Sequence, residues 1–424
     1  MNVLIIGQGG REHALVRALR LSPSVTEIHA LPGNDGMGRE AQCHKIDWKK
    51  FDDVVGLVKS KNIELVIIGP EAPLELGISD HLRANGILVF APDRAAARLE
   101  NSKVFSKDFM IEFGVPTAKS VVVTTVDETL KACIDFTPPY VLKADGLAAG
   151  KGVFICKTKD ELKDAAKKTF EDRIFGNAGN QALLEQFTPG FEISYLVLTN
   201  GQDFQALPLS QDHKRLLDGD EGPNTGGMGT VAPVKIDQKL EEKFRTEVMK
   251  PILRGLTESK FVYRGVLFIG LMITKSEKGE LEPSVLEFNT RFGDPETQVV
   301  LPLLNGDWGQ VFKSVANGDL PKLTWKNEAA ACVVLAAEGY PESPRNGVSI
   351  KGVSHDSSLG KDRYVLHAGT LNEDHNTFVT NGGRVLNVIG IGNDLKEAIA
   401  KAYAQVDSIS WPGMQFRKDI GKKA

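Results

Sequence analysis

The chain has 424 residues, 42% hydrophobic and 25% charged, with a formal net charge of −4. At roughly 100–200 residues per domain this length supports about two to four domains, with a core large enough to need neither disulfides nor a structural metal. The slightly acidic balance argues against a general nucleic-acid surface, which is strongly basic, and leaves room for a local basic pocket.

Residues 3–6 read as a strand ending in a glycine turn, with no basic and long apolar leader of the signal-peptide kind. Residues 27–31, 65–68 and 86–90 repeat the strand pattern, and 11–21 and 51–59 have helical periodicity. Short apolar runs alternating with helices predict βαβ units on a parallel sheet buried on both faces. Ligands of such sheets bind at the carboxyl ends of the strands.

The texture changes at Asn101. A helix is expected over 102–112, strands over 120–123, 140–143, 153–156 and 182–185, and an amphipathic helix over 160–171, together a small α+β unit. Beyond it come strands at 193–198, 266–273 and 284–288 and a helix at 239–256. The last hundred residues are rich in strands and glycine (331–336, 347–351, 385–392), then helical over 395–406. The longest apolar runs fall well short of the roughly 20 residues of a membrane span. Cys43, Cys133, Cys156 and Cys332 stand apart without a C-x-x-C pair, as reduced cytoplasmic thiols do.

Five segments carry chemistry. The first is Gly7-Gln8-Gly9-Gly10-Arg11-Glu12-His13-Ala14. A glycine turn opening a helix suits a phosphate, yet a dinucleotide fingerprint fits poorly. Glu12 stands where the third glycine belongs, and no acid ends the second strand. A sugar-phosphate site with Arg11 supplying charge is favoured over a plain tight turn, and His13 reads as structural or capping.

The second segment runs Lys143-Ala144-Asp145-Gly146-Leu147-Ala148-Ala149-Gly150-Lys151-Gly152. Small residues let backbone amides fold over phosphates and lysine offsets their charge. Gly152 after Lys151 excludes a Walker A loop; a hairpin with solvated lysines is the alternative. In the third segment an apolar strand delivers Glu185, followed by Phe187 and Glu192. One acid suits an adenine edge and the other a ribose, against two ordinary surface acids.

The fourth segment is Leu286-Glu287-Phe288-Asn289-Thr290-Arg291-Phe292-Gly293-Asp294-Pro295-Glu296. Strand residues two apart share a face, so Glu287 and Asn289 present two oxygen ligands together while Phe288 enters the core. A carboxylate and an amide oxygen suit Mg²⁺, and Arg291 is placed to clamp an anion. The fifth joins Ser210-Gln211-Asp212-His213-Lys214-Arg215 to the glycine-dense Gly222-Pro223-Asn224-Thr225-Gly226-Gly227-Met228-Gly229. That is the composition of a binding loop or of a solvated charge run.

In this order the segments resemble the phosphoribosylamine–glycine ligase family of the ATP-grasp superfamily, with the likeness running from Gly7 to Gly421. The resemblance implies α/β and α+β multidomain architecture: an N-terminal Rossmann-like parallel-sheet domain (1–102), an ATP-grasp lid with its leading helix (103–192), a central ATP-grasp domain (193–322) and a β-rich C-terminal domain (323–424). It also implies ATP-dependent joining of glycine to phosphoribosylamine in purine synthesis, with Mg²⁺ or Mn²⁺, in a cytoplasmic monomer or homodimer without nucleic-acid or membrane partners.

By the same resemblance Lys103, Lys143, Gly146, Gly150, Lys151 and Gly152 meet the ATP phosphates. Glu185 and the Phe187 backbone hold adenine, Glu192 the ribose, and Glu287 and Asn289 the metal. Gly9, Gly10, Arg11, Glu12, Pro70 and Glu71 meet phosphoribosylamine, while Asp212, Asn224, Gly226, Gly227 and Arg291 lie near glycine and the reacting centre. Residues 266–273 contain no acid, where many ATP-grasp enzymes place a further metal ligand. Another ATP-grasp ligase or carboxylase, or a nucleotide-sensing protein without turnover, are the competing readings, and Glu12 disfavours a dehydrogenase.

Overall fold

The structure, a computed structural model, describes residues 1–146, 152–374 and 377–423. Its first layer is the expected parallel sheet. The strand Asn2–Gly7 lies between Glu27–Pro32 and Ile63–Ile68, with Gln42–Cys43 and Val89–Pro92 at the two edges. Val3, Leu4, Ile5 and Ile6 are fully buried, as an unbroken apolar run between two helical layers must be. Helices Glu71–Leu76 and Arg94–Asn101, not picked out by periodicity, follow the fourth and fifth strands.

The helix Lys103–Phe113 starts where Ser102 accepts the amide of Phe105 at 3.1 Å. It leads into a four-stranded antiparallel sheet ordered Ser120–Val123, Ala182–Gln186, Tyr140–Ala144, Val153–Cys156. Helices Val126–Ala132 and Lys159–Phe170 bury one face of it around Leu142, Leu162 and Leu184.

The central strands Phe191–Thr199, Tyr263–Lys275 and Leu281–Asn289 are antiparallel. The start of Tyr263–Lys275 also pairs with the N-terminal edge strand, through Tyr263↔Pro92 and Arg264↔Ala91. The two sheets are therefore one continuous surface. The expected helix over 239–256 is present as Gln238–Lys243, a π-helical stretch Phe244–Met249, and Lys250–Glu258. Pro251 has no amide to donate one turn back, so the ladder widens just before it.

The C-terminal sheet centres on the fully buried strand Ala329–Ala336 and its partner Arg384–Gly392, with Arg363–His367 beyond. On the other side it takes Gly229–Ala232 and then Gln211–Asp212. The glycine-dense segment is thus strung between the central and C-terminal sheets. The strand expected over 347–351 shrinks to Ser349–Ile350, since Ile350 alone of that run is buried. Among the described residues no helix is long and apolar enough to cross a membrane.

Candidate active site

The strand Leu281–Asn289 supplies the acid and amide of the expected metal pair. Phe288 is 3% exposed in the core, while Glu287 and Asn289 are half-buried and face the cleft. A bulge at Leu286 sets Glu287 opposite Gly270, which has no side chain to cover it. Burial raises the cost of ionising Glu287, yet the charges of Lys214, Lys143, Lys103 and Arg291 outweigh it and hold the carboxyl below its usual range. Among the described residues no group of three or more His, Cys, Asp or Glu gathers as a metal cage. An ionised carboxylate beside an amide oxygen is a donor set that fits a hard cation completed by phosphate and water.

Facing this strand is a lysine pair on a buried acid. Lys143 Nζ lies 2.6 Å from Glu185 Oε2 and Lys107 Nζ 2.8 Å from Oε1. Glu185 is 4% exposed, which rules out the surface-acid reading for that residue. Burial pushes its carboxyl up, and the two lysines more than reverse this. Lys143 also donates to the Leu286 carbonyl at 3.3 Å, tying the strand Tyr140–Ala144 to the Glu287 strand. Lys103 donates to the carbonyl of Gly146 at 3.1 Å, and burial lowers its pKa. Gly152 closes the loop's far end, its carbonyl accepting from Ala144 at 2.8 Å. Gly150 and Lys151 lie outside the described residues. Phe187 is half-buried at the turn after the strand, and Glu192 pairs with Lys214 at 2.6 Å.

The glycine-dense segment brings two more acids to the cleft. Asp212 Oδ1 accepts the amide of His213 at 2.7 Å. Burial, then the neighbouring Glu296, pushes its carboxyl well above the ordinary range. Glu296 accepts from Ser194 Oγ at 2.9 Å and is raised mainly by burial. Gly227 has φ +110, and a Cβ there would fall 2.5 Å from Pro295 Cδ and 2.8 Å from Asp212 Oδ1, so only glycine lets the loop approach the acid. Asn224 ends the strand Glu221–Asn224, paired with Arg215.

At the mouth of the N-terminal sheet the arrangement differs from expectation. Glu12 reaches back to the amide of Gly9 at 2.6 Å and takes Arg11 Nε at 2.6 Å. Arg11 is 7% exposed and donates to the Phe292 carbonyl at 3.1 Å. Glu12 points inward because Gly7 and Gly69 leave the space: a Cβ on Gly69 would fall 2.1 Å from Glu12 Oε1. The backbone of Gly9 and Gly10 and the Pro70–Glu71 turn, where Pro70 caps the next helix, remain at the strand ends. Burial opposes ionisation of Glu71, but Arg291 and Arg11 hold its pKa down. His13 is structural: Nδ1 accepts the amide of His367 at 2.9 Å and Nε2 lies 3.2 Å from Glu40.

Arg291 joins these groups. Its Nη2 is 2.7 Å from Glu100 and 3.0 Å from Asn289 Oδ1, and its Nε is 3.5 Å from Glu71. Sequence reasoning passed over Lys107, Lys214, Glu100, Asp294, Glu296 and Arg384 as site residues. Lys107 stands one helical turn after Lys103, a spacing that places both on one face. Lys214, Asp294 and Glu296 lie within the motifs themselves, whereas Glu100 and Arg384 are brought in by tertiary folding alone.

Two facing sheets, one with paired lysines and the other with a Glu-x-Asn strand, have the arrangement of the ATP-grasp class. The fold agrees. The biotin carboxylase domain of 2-oxoglutarate carboxylase from Hydrogenobacter thermophilus is similar with a TM-score of 0.74 at 17% identity, covering 98% of this chain and 91% of that one. The particular family is given by the N, ATP-grasp (A) and C domains of phosphoribosylglycinamide synthetase, which match residues 1–100, 101–297 and 330–423, and the chain belongs to that family. The phosphoribosylamine–glycine ligase of Mesorhizobium japonicum is 44% identical over 100% of this chain and 98% of its own length, and that of Neisseria meningitidis serogroup B is 42% identical over 100% and 99%. The crystal structure of phosphoribosylamine–glycine ligase from Thermotoga maritima has a TM-score of 0.85 at 36% identity, covering 99% of this chain and all of that one.

Proposed function

We infer that this chain is an ATP-dependent carbon–nitrogen ligase joining glycine to 5-phosphoribosylamine, giving glycinamide ribonucleotide, ADP and phosphate in purine biosynthesis. The observation that carries the mechanism is the convergence of Lys103, Lys143, Lys214 and Arg291 on Glu287, with Arg291 also donating to Asn289 Oδ1 at 3.0 Å.

A carboxylate oxygen is a poor leaving group, so the reaction needs an activated acyl. Glycine's carboxylate oxygen attacks the γ-phosphorus of ATP, the bond to the β–γ bridging oxygen breaks, and ADP leaves. The amine of phosphoribosylamine then attacks the acyl carbon of glycyl phosphate, inorganic phosphate departs and the nitrogen loses a proton. Glu287 and Asn289 would hold Mg²⁺ or Mn²⁺, which when bound offsets phosphate charge and orients the transferring group. Lys103 and Lys143 neutralise the phosphates from the lid side, with Gly146 and Gly152 at the ends of the covering loop. Glu185, with the Phe187 backbone, receives adenine, and Glu192 the ribose.

Arg291 stabilises charge on the transferring phosphoryl oxygens. The backbone at Gly9 and Gly10 and the Pro70–Glu71 turn receive phosphoribosylamine. Asp212, Asn224, Gly226 and Gly227 face glycine. Asp212, beside the Gly227 backbone, is the carboxylate proposed to take up the proton the amine releases. Lid and central sheet exclude water, which protects an acyl phosphate from hydrolysis.

The test is isotopic. Glycine carrying oxygen-18 in its carboxylate is expected to deliver one labelled oxygen to the released phosphate. Unlabelled phosphate from a reaction that makes the amide would contradict the acyl phosphate route.

A further inference from the structure

The C-terminal domain touches the glycine-dense loop through two side chains. Tyr340 Oη accepts the amide of Gly226 at 3.1 Å. Arg384 Nη1 donates to the Gly226 carbonyl at 2.6 Å and to the Asp294 carbonyl at 2.8 Å, and Nη2 is 3.1 Å from Asp294 Oδ2. Both backbone groups of one loop residue are thus held by another domain. The contact is close, since a Cβ on Gly226 would lie 3.1 Å from Arg384 Cζ.

The arginine springs from the first residue of Arg384–Gly392, a strand paired on both sides. It therefore offers a rigid anchor to a loop in which half the residues, Gly222, Gly226, Gly227 and Gly229, have no side chain of their own. Its partners are the loop and the Asp294 turn, and none of its contacts reaches Lys103, Lys143 or Glu185. A planar guanidinium can hold two carbonyls and a carboxylate at once, where an ammonium would hold fewer in fixed geometry.

We propose that Arg384 and Tyr340 are positioning residues: they fix Gly226 so that the Gly227 backbone and Asp212 present one geometry to the two substrates other than ATP. The C-terminal domain thereby acts on substrate binding through the loop it holds. This rests on the ligase reading above.

The experiment varies ATP, glycine and phosphoribosylamine separately for the wild type, Arg384→Gln, Arg384→Lys and Tyr340→Phe, alongside thermal melting. Arg384→Gln is expected to raise the KM for glycine or phosphoribosylamine about 10- to 100-fold, the scale of a lost charge-assisted hydrogen bond. The KM for ATP should stay within about twofold. Arg384→Lys should recover part of the loss. Tyr340→Phe, which removes a single oxygen and decides the matter should Arg384→Gln not fold, is expected to shift the same KM about three- to tenfold.

Kinetic constants all within about twofold of the wild type in folded variants would overturn the proposal. So would a parallel rise in all three KM values with a lower melting temperature and no recovery by lysine. A wild type that forms no product from glycine and phosphoribosylamine would overturn the ligase reading and this proposal with it, whereas an active wild type with unaffected variants overturns this proposal alone.

Discussion

Arg291 and Glu100 meet at 2.7 Å, and the second oxygen of Glu100 accepts the amide of Thr290 at 2.8 Å. The end of the helix Arg94–Asn101 thus holds the arginine beside Asn289. Burial pushes the Glu100 carboxyl up while Arg291 opposes the shift. Glu100→Gln keeps an acceptor for Thr290 and removes the charge facing Arg291. The expected result is about 1–3 kcal/mol of lost stability in urea unfolding, together with a fall in kcat of roughly tenfold or more as Arg291 loses its fixed position. Unchanged kcat would detach the pair from catalysis.

Glu287→Ala should leave the fold intact and abolish turnover. The loss is expected to exceed about a thousandfold in kcat, since an anchor for charge in the transition state goes with it. Circular dichroism and steady-state rates at saturating Mg²⁺ check both halves. A folded variant with full turnover would remove Glu287 from the site.

Lys143 bridges Glu185 and the Leu286 carbonyl, so it ties its own four-stranded sheet to the central sheet as well as carrying charge. Lys143→Ala is expected to raise the KM for ATP or lower kcat by about 10- to 100-fold. Initial rates with ATP varied read this directly, and values equal to the wild type in both constants would place Lys143 outside the cleft.

His213 gives a pH prediction. Its Nδ1 lies 3.2 Å from the Gly229 carbonyl, and Nε2 accepts the amide of Gly421 at 3.2 Å, so both nitrogens are engaged. Burial, then Arg417, lowers its pKa to about 4 from 6.5. The folded state therefore binds this proton less readily than the unfolded chain. Stability from this site is full above pH 6.5, declines as pH falls toward 4, and levels off below. The full effect is about 3 kcal/mol at 1.36 per pKa unit. Urea unfolding from pH 7 to 4 should lose less stability in His213→Gln than in the wild type. An equal loss would contradict the assignment.

What the sequence revealed follows from which interactions are local. Runs such as Val3 to Ile6 and the alternation around Phe288 declare their faces through period alone, so the sheets and the Glu287–Asn289 register were readable. The inward turn of Glu12 was not, because it depends on space left by Gly69 just past the end of another strand. Glu100 and Arg384 were invisible for a like reason. Their partners, Thr290 and Gly226, are 190 and 158 residues away along the chain. The motif alone left Glu185 open between a nucleotide-binding acid and an ordinary surface acid, because its burial and its pairing with Lys107 and Lys143 come from the fold. The membership of Gln211–Asp212 and Gly229–Ala232 in the C-terminal sheet likewise arises from long-range pairing that no local pattern encodes.

The most direct test of the ligase reading is ADP release with ATP, Mg²⁺, glycine and phosphoribosylamine, the last formed in place from ribose 5-phosphate and ammonia. ADP formation that requires glycine and phosphoribosylamine together is the predicted result. ADP formation indifferent to glycine, or none from the folded protein, would contradict it.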